Sequence, residues 1–99
     1  MFVEVQGGTS RVREGENLRA LSVRVDDRAT LEAALGSLGS VDGDHVWLDL
    51  AALREGAEAS LPADAVEGWA AGFDGMIGYA TKSGWVSDDG TKVRAHIDS

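Results

Sequence analysis

The two histidines are the side chains best suited to acid–base chemistry near neutral pH. His45 opens a run of alternating residues in which Trp47 and Asp49 share its side. Alternation of this kind is typical of a strand with one buried face. His96 follows Arg94 by two positions in a second alternating run. If both runs lie in one sheet, one face collects six residues that we call the aromatic strand face: His45, Trp47, Asp49, Arg94, His96 and, through a predicted hairpin, Trp85.

The aromatic strand face is open to three interpretations. Its side chains could face solvent, with Trp47 covered by another element. They could form an oligomer interface, because Trp, Tyr and Arg are enriched in such interfaces. They could also line a ligand or catalytic pocket, since aromatic walls with a few convergent polar groups are usual in small-molecule sites.

The remaining chemical motifs indicate no specific enzyme class. Along a strand, His45 and Asp49 lie about 13 Å apart, and His96 and Asp98 about 6.6 Å apart, which disfavours direct pairing of imidazole with carboxylate. The histidine spacing matches no zinc motif and the chain has no cysteine, so we predict no metal site. The sequence also lacks the usual phosphate-binding and nucleophile motifs, and we predict no cofactor.

Three glycines form a stripe on the longest predicted helix. Ser60 and Pro62 are typical of a helix start, and apolar residues with helical spacing continue for over four turns. Gly68, Gly72 and Gly75 fall on another side of this helix, where each costs about 0.8–1 kcal/mol relative to alanine. The stripe indicates a close contact with another helix, such as one across a dimer, or the close approach of a ligand. A helix broken near Gly72 is the alternative.

Hydrophobic periodicity predicts the other elements of the first half of the chain. The expected strands cover residues 2–6, 18–25 and 45–50, the first two forming a long irregular hairpin. A one-sided helix is predicted over residues 31–38. Because it connects two strands, we expect the strands ending at Val25 and Leu50 to run parallel. A short helix over residues 51–58 is expected to be interrupted at Gly56.

The segment from residue 85 to residue 97 predicts a β-hairpin. Asp89-Gly90 suits a two-residue type I′ turn, because both residues tolerate positive φ. Alternate residues after this turn then face the core, whereas Arg94 and His96 face the other side. Pairing across the turn gives two cross-strand pairs, Val86 with Val93 and Trp85 with Arg94.

Together these elements predict a single α+β domain over residues 1–99. We expect a small mixed sheet of about five strands with helices packed mainly on one face. A long C-terminal helix followed by a β-hairpin completes this fold. Such an arrangement leaves the aromatic strand face uncovered.

The net charge of −8 is concentrated in the middle of the chain. Residues 29–81 carry nine acidic residues against Arg54 alone, whereas the flanking segments are neutral. This charge repels polyanions, so we expect no nucleic-acid binding. Solvated helix faces explain the acidic segment without a partner; the other interpretation is a surface for a basic protein.

Several features favour a cytoplasmic protein. The absence of cysteine suits a reducing compartment. The first residues lack the basic start and apolar core of a secretory signal, and no apolar run approaches the roughly 20 residues of a membrane helix. We therefore expect no membrane association.

These observations favour a small non-catalytic binding or accessory module that self-associates, as a dimer, through the aromatic strand face. Two alternatives stay open. One is a small enzyme that uses His45 or His96 as acid or base. The other is an acidic inhibitor or mimic that docks on a basic partner.

Overall fold

A curled six-stranded mixed sheet is the scaffold of the protein in our computed structural model, which describes residues 1–98. The strands are β1 (Phe2–Gln6), β2 (Thr9–Arg13), β3 (Ser22–Val25), β4 (Gly39–Asp42), β5 (His45–Asp49) and β6 (Lys92–Asp98). Their order in space is β2-β1-β3-β6-β5-β4. The β1–β3 and β3–β6 pairs are parallel, and the other pairs are antiparallel. The strand that comes last in the chain therefore lies inside the sheet.

Three α-helices cover one side of this sheet: α1 (Leu31–Leu35), α2 (Leu50–Ala59) and α3 (Trp69–Lys82). Short 3-10 turns lie beside them at Arg28–Thr30, Gly36–Leu38 and Ala63–Ala65. α1 contacts both edge strands, β2 and β4, so the sheet curls around the helical layer. Within residues 1–98, each helix is too short or too polar to cross a bilayer.

The hydrophobic core lies between the helices and the inner face of the sheet. The strands contribute alternate residues that are almost fully buried: Val3, Val5, Val23, Val25, Val46, Leu48, Val93, Ala95 and Ile97. The helices contribute Leu31, Leu35, Leu53, Ala57, Trp69, Phe73 and Ala80. Because a strand alternates its side chains, burial of one set places the other set on the opposite face.

Two aspartates start helical segments by accepting hydrogen bonds from free backbone N–H groups. The Asp27 carboxylate accepts from the Ala29 N–H at 3.0 Å, and the Asp49 carboxylate accepts from the Ala52 N–H at 2.9 Å. Such N-caps stabilise a helix by about 1 kcal/mol. The predicted strand over residues 45–50 is therefore one residue too long, since Leu50 is the first residue of α2.

The structure contains two edge strands that the sequence pattern does not predict. β2 pairs with β1 across a turn at Gly7 and Gly8, and β4 pairs with β5 across Gly43 and Asp44. The predicted hairpin between residues 2–6 and 18–25 is wrong, because β1 pairs with β2 and runs parallel to β3.

The predicted parallel relation between the strands ending at Val25 and Leu50 is also wrong. β3 is parallel to β6, whereas β5 is antiparallel to β6, so β3 and β5 run in opposite directions. The strand that follows α1 parallel to β3 is β4. A second reversal of the chain between β4 and β5 causes the difference.

α3 begins at Trp69, later than the predicted start near Ser60. Gly68 precedes it with φ 78°, a left-handed conformation that glycine adopts at little cost. Val66, which belongs to the predicted apolar stripe, is 59% exposed. Residues 60–67 therefore lie outside α3, and Leu61 is the one large apolar residue among them that packs against the core.

α2 is continuous through Gly56, contrary to the predicted interruption. A Cβ at this position would lie 2.7 Å from Val12 Cγ2, far inside normal contact distance. Gly56 thus allows α2 to lie against the edge strand β2, and this close approach offsets its low helix propensity.

The predicted pairing of Val86 with Val93 is confirmed. The Arg94 N–H also donates to the Trp85 carbonyl at 2.7 Å, as the register requires. The turn is wider than predicted, because the Ser87 N–H donates to the Lys92 carbonyl and closes a loop over residues 88–91. The chain before this loop forms an isolated bridge, not a full strand.

Candidate binding site

The face of the sheet turned away from the helices is the first candidate surface. Its residues alternate with the buried ones, and we call it the open face. Four residues of the aromatic strand face lie together on it, since His45 is opposite His96 and Trp47 is opposite Arg94. The open face continues across the sheet through Phe2, Glu4, Arg11, Arg13, Ser22 and Arg24.

The two histidines of the open face contact each other. The ring centroids of His45 and His96 are 5.8 Å apart, in an edge-on arrangement. His96 Nε2 lies 3.7 Å from Asp98 Oδ1, closer than the strand spacing predicts, and both side chains are more than half exposed. The group offers polar contacts to a partner but lacks the dry surroundings that strengthen acid–base catalysis.

Trp47 is held in place without being buried. Its Nε1–H donates to Asp42 Oδ2 at 3.1 Å, across the β4–β5 hairpin. The indole is half-buried beside Arg94 and Ser40 of the neighbouring strands. The open face thus presents an aromatic surface whose orientation is fixed in the monomer, which lowers the entropy cost of binding.

Two residues predicted for the aromatic strand face make other contacts. The Asp49 carboxylate is the N-cap of α2 and accepts the Ala52 N–H. Trp85 follows α3, and its ring packs edge-on against Tyr79 with centroids 5.9 Å apart. The Asp49 carboxylate is engaged as a helix cap. Trp85 lies opposite Arg94 and, together with His45, Arg94 and His96, lines a cleft that adjoins the open face.

The second candidate surface is a cleft of about 820 Å³ between α3, residues 18–21 and β6. Small-molecule sites usually measure about 300–1,000 Å³. The exposed Tyr79 and Trp85 belong to its wall, at 66% and 40% exposure. The larger apolar side chains of the wall are Leu18, Leu21, Met76, Ile77, Tyr79, Trp85 and Val93.

The polar side of the cleft is cationic. Arg19, Arg94, His45 and His96 line it, and among residues 1–98 the lining includes no Asp or Glu. This composition is unusual for a chain with 17 acidic and nine basic residues. Neither guanidinium forms an ion pair with any residue that the structure describes.

Residues 18–21, which form one wall of the cleft, are held from two sides. The Met1 amino group donates to the carbonyls of Asn17 at 2.8 Å and Ala20 at 3.1 Å, and partial burial lowers the pKa of this amine. On the other side, a Cβ at Gly72 would lie 2.5 Å from Leu18 Cδ1. The glycine therefore leaves room for Leu18 to pack against α3.

The three glycines predicted for a close helix contact have separate positions. Gly72 contacts the Leu18 side chain, and Gly68 lies before the helix in a left-handed conformation. Gly75 lines the cleft, and a Cβ there would meet no atom within 4 Å. Among residues 1–98, no second helix approaches Gly75 at contact distance.

The sequence pattern does not predict the cleft. Arg19 and Tyr79 belong to no motif, and Leu18 and Leu21 fit the alternation of the predicted strand over residues 18–25. The observed strand starts later than predicted, because β3 begins only at Ser22. The cleft forms where the chain departs from the sheet, and composition alone carries no signal for such a departure.

The chain was compared with models of known protein families, with curated proteins and with solved structures, and none of the three comparisons gave a match. The geometry of the open face and the cleft is therefore the basis for inferring a function.

Proposed function

We propose that this protein is a small non-catalytic binding module that self-associates through the open face of its sheet. The proposal rests on one observation: α1, α2 and α3 all bury their apolar residues on one side, while the other side bears an oriented Trp47 beside Arg94 and two histidines. Trp and Arg are the residues that most often dominate binding energy at interfaces.

The distribution of charge supports this choice of surface. At a net charge of −8, two copies repel each other over most of their surface. The open face is locally balanced, with five basic residues on its strands against four acidic ones: Arg11, Arg13, Arg24, Lys92 and Arg94, and Glu4, Asp42, Asp49 and Asp98. Contact through this face therefore avoids the repulsion that other faces would meet.

The same surface suits a symmetric dimer. In a two-fold interface each residue meets a counterpart from the same patch, so the patch must complement itself. The open face carries both signs of charge in neighbouring strands, such as Glu4 beside Arg13 at 3.5 Å. Rotation of one copy by 180° can therefore place basic groups against acidic ones.

Sedimentation velocity and light scattering over a concentration series test this proposal. We expect a mass approaching twice the 10.4 kDa of the chain at high concentration. Trp47→Ala should weaken the dimer by about tenfold or more, as loss of an interface anchor does. Tyr79→Ala is the matched control, because it removes an exposed aromatic ring from α3 and should leave the dimer unchanged.

A wild-type protein that stays monomeric at millimolar concentration would rule out self-association. Equal weakening by Trp47→Ala and Tyr79→Ala would place the contact elsewhere than the open face.

A further inference from the structure

We propose that the cleft between α3, residues 18–21 and β6 binds a small amphipathic anion. Such a ligand has an aromatic or aliphatic body and one carboxylate, sulfonate or phosphate group. This inference goes beyond self-association. The cleft lies within a single chain but shares His45, Arg94 and His96 with the open face, so ligand binding is measured at concentrations at which the protein is monomeric.

The apolar wall of the cleft fits the body of the ligand. Tyr79 and Trp85 are two of the three large hydrophobic side chains that the described chain leaves exposed, and they contact each other at the cleft. Such a pair of exposed rings is costly in water unless a ligand covers it. The volume of about 820 Å³ matches a molecule of drug size.

The cationic side of the cleft fits the acidic group. Elsewhere in the molecule Arg13, Arg28 and Arg54 have carboxylate partners, whereas Arg11 and Arg24 have none among the described residues. Arg19 and Arg94 have no such partner within residues 1–98, although acidic residues outnumber basic ones almost two to one. A guanidinium binds a carboxylate or phosphate through paired charge-assisted hydrogen bonds.

The two halves of the cleft meet at a fixed position. The backbone N–H of Arg94 donates to the Trp85 carbonyl at 2.7 Å, so a basic and an aromatic residue occupy paired positions on neighbouring stretches of chain. The opposite wall is held by the bonds of the Met1 amine and by the contact of Leu18 with Gly72. Walls that are positioned before binding lower the entropy cost of binding.

Two fluorescent probes with the same aromatic skeleton test the proposal. Anilinonaphthalene sulfonate carries one anionic group, and phenylnaphthylamine is its uncharged counterpart. We expect the sulfonate to bind as a single-site ligand and about tenfold or more tightly than the neutral probe, because the guanidinium groups recognise its charge. Equal affinity for the two probes would contradict an anion site.

Charge variants locate the site. Arg94→Gln and Arg19→Gln should each weaken sulfonate binding by about tenfold and leave the neutral probe unchanged. Arg11→Gln is the matched control, because it removes the same charge from a residue that does not line this cleft. If Arg11→Gln weakens binding as much as Arg94→Gln does, general surface charge explains the affinity and the site is wrong.

A pair of glycine variants tests the position of the ligand body. Gly75 and Gly78 both lie in α3 with open space around a would-be Cβ, but only Gly75 lines the cleft. Gly75→Leu should abolish binding of both probes, and Gly78→Leu should leave it unchanged. Equal effects of the two variants would overturn the proposal.

Two further measurements exclude other sources of probe signal. Near-ultraviolet circular dichroism must stay native with the probe bound; loss of that signal would mean that the probe binds a partly unfolded state and would overturn the proposal. Trp47→Ala should leave probe binding intact even where it weakens the dimer, since Trp47 does not line the cleft. The two proposals can therefore fail separately.

Discussion

The two faces of the sheet differ in the contacts that their side chains make. On the inner face, apolar residues such as Leu48 and Val93 are fully covered by α1, α2 and α3. On the open face, several side chains contact a neighbour within the sheet: Trp47 donates to Asp42, and Arg24 lies 3.9 Å from the centre of the Phe2 ring. The inner face therefore holds most of the buried apolar side chains, and the open face is the surface that we propose for binding.

One short strand, β5, contributes residues to both faces of the sheet. β5 alternates His45, Val46, Trp47, Leu48 and Asp49, so each residue of the core is flanked by residues of the open face. A substitution on one face changes little on the other, because the side chains point in opposite directions. Stability and recognition should thus respond independently to mutation.

The largest expected effect comes from the inner face. Leu48→Ala should lower the free energy of unfolding by about 2–5 kcal/mol, because it leaves a cavity among residues that are fully buried. Trp47→Ala, at the adjacent position, should cost about 1 kcal/mol through lost cross-strand contacts. Urea denaturation measures both values. Similar losses would show that the two faces are not independent.

Trp69 and Trp47 allow the buried and exposed environments to be compared, because each indole N–H donates one hydrogen bond. The Trp69 Nε1–H donates to the Gly15 carbonyl at 2.7 Å inside the core, whereas that of Trp47 donates to Asp42 in solvent. Trp69→Phe should cost about 1–3 kcal/mol, because it leaves a buried carbonyl without a donor. Trp47→Phe should cost about 0.5 kcal/mol or less. Equal values in parallel thermal and urea unfolding would contradict this assignment.

Two helix glycines extend the comparison to the helical layer. Gly56→Ala places a methyl group against Val12, whose branched side chain cannot rotate away easily, and should cost about 1–3 kcal/mol. Gly75→Ala meets open space and should stabilise α3 by about 0.5–1 kcal/mol. Val12→Ala combined with Gly56→Ala is the control, since it removes the clash. If Gly56→Ala alone stabilised the protein, β2 would have to move away from α2 to make room for the methyl group, and the predicted clash with Val12 would be wrong.

The smallest effect concerns the exposed loop over residues 88–91. Hydrogen bonds from the Ser87 hydroxyl, and then from the Thr91 N–H and hydroxyl, lower the pKa of Asp89 to about 2. Because the folded pKa is lowered, the order that this carboxylate gives the loop is present above about pH 4 and lost as pH falls through about 2.

Carbon NMR of the Asp89 carboxyl measures this pKa directly. Asp89→Ala should speed hydrogen exchange of the Thr91 N–H while leaving exchange in β1 and β3 unchanged. A titration midpoint near the ordinary value of 3.8 would contradict the hydrogen-bond network.

The inner face could be predicted from the sequence because apolar residues alternate with polar ones along β3, β5 and β6, as expected for strands with one buried face. The α+β class followed from the same signal together with the helical periodicity, and the cross-strand pair of Val86 with Val93 followed from the turn residues Asp89-Gly90. The edge strands β2 and β4 could not, because each is short and polar and carries a single large apolar residue, Val12 or Val41.

The candidate sites were predictable to different degrees. Four residues of the open face could be grouped because alternation fixes which side chains share a side, and His45, Trp47, Arg94 and His96 do so. The cap role of Asp49 and the contact of Trp85 with Tyr79 could not be predicted, since a helix cap and a ring pair depend on neighbours outside any strand pattern. The cleft depends on the path of residues 18–21, which tertiary contacts set.

The position of β6 has a consequence for how the protein folds. The hairpins β1–β2 and β4–β5 are local and can form early, but the sheet is joined only when β6 inserts between β3 and β5, pairing Arg24 with Asp98. Contacts so distant in sequence give a high contact order and slow folding. Until insertion, β3 and β5 both expose unpaired edges, so a newly made chain is most prone to aggregate just before its last strand is available.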